Sequence, residues 1–561
     1  MAERVEKKAS HKTMDSTSPE YIFPPDLYPD SPERDFSSEG GLLVDKNCQP
    51  QAYIRGPFWR TEKNDPAVRE DDVDLLFRRP ETSNIPFGEI DAGGELELYF
   101  WNDDPGNRET YPVMREGSPI TTALTEINNG NGVHFIEEDD IFGAWPEEIA
   151  FSPELVESCL ELNFEHFTDP STRGAHQLKA LQILARIAEE NKALVIPTAS
   201  FPHRPLTPEE TNPHPYIQRI AMEFMGWENV RHFIGSSWQT HVEMISLETA
   251  LAATNYLQQV APIIHALTLA GPFIDGRVFL SQENLPGMAE EPSLWHSVRY
   301  WSRFKGSPEG GVLRAPLPEK EGEFWQLAAE KLATGEIVSP ARVGGHHTDF
   351  RIRPDLKPYG TIEIAFMDTA GAHPLKLLAL QEFFRALSWK LQRFVLENKR
   401  EELPPLLFGK LDQARLAEIH QASIAVSKNG IEAEIKAADG QTYPLKELWD
   451  QLLAWVDQPI PEWGFNGLPQ GIKEELNKSA EVVDGKTFES FTDNEGLVSS
   501  YGFYKTGKGT LSQWLLARAY QMVERGISEK EAIINCMDDL GYSFHQYLKE
   551  IDEQTIKELL E

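Results

Sequence analysis

Cysteine is scarce in this sequence: three in 561 residues, at positions 48, 159 and 536. Cys48, Cys159 and Cys536 are spaced too widely for a zinc motif or a disulfide framework, and such sparing use suits a reducing compartment. Long apolar runs are missing too. None approaches the roughly 20 residues a membrane helix needs, and the polar N-terminus lacks the apolar stretch of a signal peptide. The expectation is a cytoplasmic protein that does not bind membrane. Positive charge is also in short supply, with 53 Lys and Arg against 89 Asp and Glu and a formal charge of −36. That excess argues against non-specific binding to nucleic acid or to anionic lipid. An anionic nucleotide would have to be held here by a local arginine cluster or by divalent cations. Three catalytic signatures are absent as well. There is no Gly-x-x-x-x-Gly-Lys-Ser/Thr loop, no Gly-x-Ser-x-Gly elbow and no His-Glu-x-x-His pair.

What is present is ordinary globular material, 40% hydrophobic, long enough for one large domain with appendages. Residues 1–40 are rich in Lys, Glu, Ser, Pro and Asp without periodicity and read as a flexible tail. Residues 41–460 read as a catalytic domain, and 461–561 as a helical region packed on it. Alternation predicts strands over Gly94–Trp101, Val133–Ile136, Ala193–Ser200, Gln239–Ile245 and Gly360–Met367. Amphipathic or apolar helices are predicted over Gly174–Asn191, Leu247–Leu269 and Pro374–Asn398. Ser152-Pro153-Glu154 reads as a helix start or a helix-to-strand corner. Asp439-Gly440 centres a hairpin over Gly430–Tyr443. Strands at both ends of the domain with long helices between them indicate an α+β fold.

Four segments carry chemistry. In Gly93-Gly94-Glu95-Leu96-Glu97, period-2 geometry puts Glu95 and Glu97 on one sheet face, roughly 7 Å apart. Hard divalent cations accept such a pair, although an exposed edge strand with solvated acids has the same pattern. In the second segment Glu154, Glu157 and Glu161 share a face if the chain is helical, with solvation again the plain alternative. In Trp238-Gln239-Thr240-His241-Val242-Glu243, His241 and Glu243 point one way on a strand. His241 suits a metal or a phosphate and equally a buried structural role. The fourth segment runs from His347 to Thr369. Arg351 and Arg353 are planar cations suited to phosphate oxygens. Glu363 lies in an otherwise apolar strand, where an unpaired carboxylate is costly, so it is a functional candidate on its own merits.

In this order the pieces resemble a known family. Gly93 to Glu97, Glu157 to Leu162, Ala199 to Pro202, His241 to Met244 and Ile352 to Thr369 look like the second family of glutamate–cysteine ligases, the carboxylate–amine ligases of the glutamine synthetase superfamily. Gly271 to Gly276 and the Asp439-Gly440 hairpin look similar too, so the resemblance spans about residues 90–460. It implies a glutamine synthetase-type antiparallel sheet with a concave active site, backed by long helices. It implies ATP as cosubstrate, two or three Mg²⁺ with Mn²⁺ as an alternative, and amino-acid-like substrates joined through an acyl phosphate. Carried over by motif, Glu95, Glu97, Glu161, Glu243 and Glu363 would be metal ligands. His241, Arg351 and Arg353 would meet nucleotide or phosphate, and Glu363 and Arg353 would carry the catalysis. A homodimer is compatible with the resemblance. Two positions depart from the pattern: Glu243 stands where the family usually has a second His, and Ala365 where it has an Arg two residues after the acid. The second departure leaves the acid substrate open, with Arg299, Arg303 or Arg351 as replacements. A nucleotide-binding member that is catalytically silent, or a kinase-like one acting on a protein or peptide, remains the alternative.

Overall fold

A computed structural model gives the fold. It describes the chain from residue 85 onwards apart from 105–106, 114–116, 128–132, 136–148, 155, 200–203, 205, 212–236, 275, 279, 282–292, 295, 298–312, 314, 335–341, 345–347 and 355–359. Before residue 85 it describes four strands, β1 (Glu20–Ile22), β2 (Gly40–Val44), β3 (Pro50–Arg55) and β4 (Val73–Leu75), paired in that order. One of them, β1, falls inside the segment expected as a tail.

The central sheet is built from β5 (Ala92–Asn102), β6 (Val133–Phe135), β7 (Ile149–Pro153), β8 (Cys159–Phe167), β9 (Ala193–Ile196) and β10 (Trp238–Glu243). The short pairs β11 (Phe273–Ile274) with β12 (Arg277–Val278), and β13 (Leu280–Ser281) with β14 (Ser293–Leu294), lie outside it. Two late strands, β15 (Phe350–Arg353) and β16 (Thr361–Met367), complete it. The order is β15-β16-β10-β5-β8-β7-β6, with β9 paired to the far half of β5. Every pairing is antiparallel except β6 with β7. The expected α+β class therefore holds. The strands from the end of the domain insert beside β10, so acids some 270 residues apart in sequence share one sheet.

The helices in the first half are α1 (Pro119–Ile127), α2 (Pro170–Glu190), α3 (Leu247–His265) and α4 (Glu321–Thr334). They are followed by α5 (Pro374–Leu396), α6 (Gln413–Asn429) and α7 (Leu445–Asp457). Helix α5 is set by its sequence: the His373 side chain caps it, Pro374 opens it, and Asn398 just beyond its end takes a left-handed φ of 55°. It is buried nearly end to end and packs against α2, α3 and α7. Its polar residues are spent on the sheet. Gln381 Nε2 donates to Gly93 O at 2.6 Å, and Gln392 Oε1 accepts from Ile245 N at 2.7 Å. The start of β5 and the end of β10 are thus pinned from behind. Glu382 accepts from Arg385 and pairs with the fully buried Arg173 of α2.

Strands β17 (Glu434–Lys436) and β18 (Thr442–Pro444) form the expected hairpin around Asp439-Gly440, where Gly440 has φ 83°. The rest is helical: α8 (Gln470–Ser479), α9 (Gly485–Ser490), α10 (Tyr501–Thr506), α11 (Leu511–Glu524), α12 (Glu529–Glu550) and α13 (Glu553–Leu560). Contacts of α12 with β9 and α2, and of α8 with α5, join this region to the central core. No helix among the described residues is long and apolar enough to cross a membrane. Cys159 and Cys536 are buried thiols, while Cys48 lies outside the described residues.

One local reading changes. Ser152-Pro153-Glu154 does not start a helix. Residues 149–153 are β7, and Cys159, expected on a helix, opens β8. β-Pairing of Ser152 with Glu161 and of Phe151 with Leu162 overrides the helix-cap signal.

Candidate active site

The register of the sheet assembles the site. Arg351 on β15 lies opposite Glu363 on β16, Glu363 opposite His241 on β10, and His241 opposite Gly93 on β5. The neighbouring row runs Gln239, Glu95, Asn163, and the next pairs Glu97 with Glu161 on β8. Because side chains alternate along a strand, these residues project from one face.

Two groups of three emerge. Ligand atoms of Glu95, His241 and Glu363 lie within 4.8 Å of one another, and so do those of Glu97, Glu154 and Glu161. In the first, His241 Nε2 is 3.3 Å from Glu95 Oε1, and its Nδ1 is 3.1 Å from Thr361 Oγ1. Arg351 Nη2 stands 2.6 Å from Glu363 Oε1, and Arg353 Nη1 donates to Glu363 Oε2 at 3.2 Å. Burial alone would raise the Glu363 carboxyl, but Arg351, His241, Arg353 and Arg342 hold it down to about 2. Burial likewise works to raise Glu95, and its bond to His241 and that ring's charge bring it below the ordinary value. Both carboxylates are therefore anionic at neutral pH. In the second group Asn163 Nδ2 donates to Glu161 Oε1 at 3.1 Å and Gln239 Nε2 to Glu97 Oε1 at 3.0 Å.

The donor sets fit hard divalent cations. Three carboxylates converge in one, and two carboxylates with an imidazole in the other; oxygen-rich sets of this kind suit Mg²⁺ and Mn²⁺ rather than thiophilic metals. Like charges held this close call for a counter-cation.

Of the expected residues, Glu95, Glu97, Glu161, His241, Glu363, Arg351 and Arg353 gather here. Glu243 shares the face but joins neither trio; its Oε2 accepts from Asp91 N at 3.3 Å. Glu157 also stays apart, in the turn before β8. Glu154 does reach Glu161, through the β7–β8 pairing rather than a helix face. Arg351 is at the site, whereas Arg299 and Arg303 lie outside the described residues. Ala365 is buried on the same strand face, two residues beyond Glu363.

Sequence reasoning missed Gln239 and Asn163, which hold the acids, and the pair His166–Asp91. A bulge in the β5–β8 pairing, between Ala92 and Gly94, sets His166 above Gly93. A Cβ on Gly93 would run into the His166 ring. His166 Nδ1 meets Asp91 Oδ1 at 3.3 Å, and the rings of His166 and His241 lie 5.8 Å apart. Burial lowers the His166 pKa, yet the bond to Asp91 and its charge raise it overall. Bulges leave no clear sequence signal; the Gly93-Gly94 pair was the only trace.

The chain is similar to known proteins. The family model of glutamate–cysteine ligase family 2 matches residues 181–457. That segment holds β10, β15 and β16, while β5, β7 and β8 precede it. A protein of Nocardia farcinica (strain IFM 10152) named "Putative glutamate--cysteine ligase 2-1" is 26% identical over 294 residues, 52% of this chain and 67% of that one. The crystal structure of a bifunctional glutathione synthetase from Pasteurella multocida superimposes with a TM-score of 0.50 at 12% identity, over 82% of this chain and 53% of that one. This chain thus spans about half of that protein, and the likeness is one of fold. The match over residues 181–457, just under half of the chain, and the relative together make the chain similar to glutamate–cysteine ligase family 2.

Proposed function

We propose that the protein is an ATP- and Mg²⁺-dependent carboxylate–amine ligase that forms an amide through an acyl phosphate. The observation that carries this reading is the convergence of two acidic trios and two arginines on one sheet face. Glu97, Glu154 and Glu161 would hold one cation, and Glu95, His241 and Glu363 a second. The cations would supply charge neutralisation along the phosphates. Arg353 and Arg351, bound to Glu363, are positioned to take phosphate oxygens as charge moves onto the transferred group. Preorganised charge of this kind supplies most of the catalysis in phosphoryl transfer. In the reaction a substrate carboxylate oxygen attacks the γ-phosphorus and ADP leaves. The amine nitrogen then attacks the acyl carbon, phosphate leaves, and the amine gives up a proton. The substrates are small and amino-acid-like. With Ala365 where the family has Arg, Arg351 is the candidate replacement that lies at the site among the described residues.

The test is ADP release from Mg·ATP across a panel of amino acids, with mass spectrometry of the products. A product lighter than its summed substrates by one water is expected. ATP binding without turnover on any substrate pair would overturn the reading in favour of a catalytically silent member.

A further inference from the structure

Gln239 reaches one trio directly and the other through Arg351. Its Nε2 donates to Glu97 Oε1 at 3.0 Å, and its Oε1 accepts from Arg351 Nη2 at 3.1 Å. The same guanidinium nitrogen is 2.6 Å from Glu363 Oε1. The side chain is buried, and the β10–β16 pairing shifts register between Trp238 and Thr240, at this residue. The extra residue is on β16, where Ala365 and Phe366 together stand opposite Gln239. The orientation of the amide is dictated by its partners. A guanidinium only donates and an ionised carboxylate only accepts, so the amide oxygen must face Arg351 and the amide nitrogen Glu97. No other uncharged side chain of this length offers both roles at once. An apolar residue would leave both partners short of a buried hydrogen bond, and a carboxylate would put a like charge against Glu97.

We propose that Gln239 is a positioning residue that links the two cation sites. It fixes Glu97 toward Glu154 and Glu161, and through Arg351 it fixes Glu363 toward Glu95 and His241. This rests on the cation-binding reading above. The specific consequence is that one substitution at a residue belonging to neither trio weakens cation binding at both. Partners that hold a metal ligand typically account for 10–100-fold in affinity.

The experiment is a Mn²⁺ titration of the full chain with a non-hydrolysable ATP analogue, reading free Mn²⁺ by electron paramagnetic resonance. The wild type is compared with Gln239→Met, which keeps length and loses both bonds. The expected result is two or more ions on the wild type, and about 10–100-fold weaker binding at both sites in Q239M. Wild-type affinities at both sites in Q239M, or weakening at one only, would overturn the link and leave the ligase reading standing. A wild type that binds no Mn²⁺ would overturn the ligase reading together with the inference. If Q239M does not fold, Gln239→Asn is read in the same way, since its amide is one methylene too short to span both partners.

Discussion

Arg351 and Glu363 are direct cross-strand neighbours, and the guanidinium stands 2.6 Å from a carboxylate that is fully buried in an otherwise apolar strand. Burial opposes the charge on Glu363; Arg351, His241, Arg353 and Arg342 more than offset that and keep it ionised down to about pH 2. Glu363 therefore presents a permanent negative charge to the site. Its replacement by Gln should lower ligase activity by ~100-fold or more, in line with loss of an electrostatic contact at the reacting centre. The far-UV spectrum should persist, and the rise in melting temperature on adding Mg²⁺ and nucleotide should shrink. Full activity in E363Q would reduce Glu363 to a structural partner of the arginines.

Gly93→Ala tests the bulge that sets His166 in place. The added methyl would run into the His166 ring and come within 2.8 Å of Phe164 O, which is backbone. Overpacking of this kind costs about 1–3 kcal/mol. Urea denaturation should show a loss in that range, with activity falling further as His166 is pushed toward His241. An unchanged unfolding midpoint would mean that the bulge relaxes freely.

Behind the sheet, Glu382 answers two buried guanidinium groups, Arg173 and Arg385. Burial depresses the pKa of both, that of Arg385 to about 9. Glu382→Gln removes the carboxylate that pairs with both and leaves two buried cations facing an amide, a change worth about 3–5 kcal/mol. The expected outcome is a large loss in chemical denaturation, partly recovered by also replacing Arg173 with Met. A neutral E382Q would show that Arg173 and Arg385 find other acceptors.

Acidification should loosen the dock between α12 and β9 through His545. Its Nε2 accepts from Val195 N at 2.9 Å, and its Nδ1 faces Glu189 Oε1 at 3.2 Å, so the ring is neutral with its proton on Nδ1. Burial lowers its pKa to about 4, and Glu189 only partly counters that. Between the ordinary value of 6.5 and about 4 the unfolded chain takes up a proton that the folded chain refuses. Stability contributed by this group is thus intact above 6.5, falls as pH drops through that window and levels off below it. The loss has an upper bound of about 3 kcal/mol. His545→Gln keeps an acceptor and a donor without titrating. Its urea midpoint should vary less with pH than that of the wild type across the window. Parallel pH profiles would remove His545 as the cause.

Much of this protein is determined by the sequence alone. Period-2 alternation located β5, β10 and β16 to within a few residues, and apolar periodicity located α2, α3 and α5, because these elements bury one face or all of their surface and the pattern records it. The same alternation put Glu95 with Glu97 and His241 with Glu243 on common faces. Glu363 stood out because a charge in an apolar strand demands a partner. Tertiary structure decided the rest. Register between strands distant in sequence chose which acids meet: Glu95 with His241 and Glu363, Glu97 with Glu154 and Glu161, and Glu243 with neither. The β7–β8 pairing made a strand where local cap chemistry favoured a helix, since cross-strand hydrogen bonds outweigh a cap worth ~1 kcal/mol. The bulge that sets His166 in place and the register shift opposite Gln239 depend on how neighbouring strands fit, and a single strand's sequence carries no record of its neighbours.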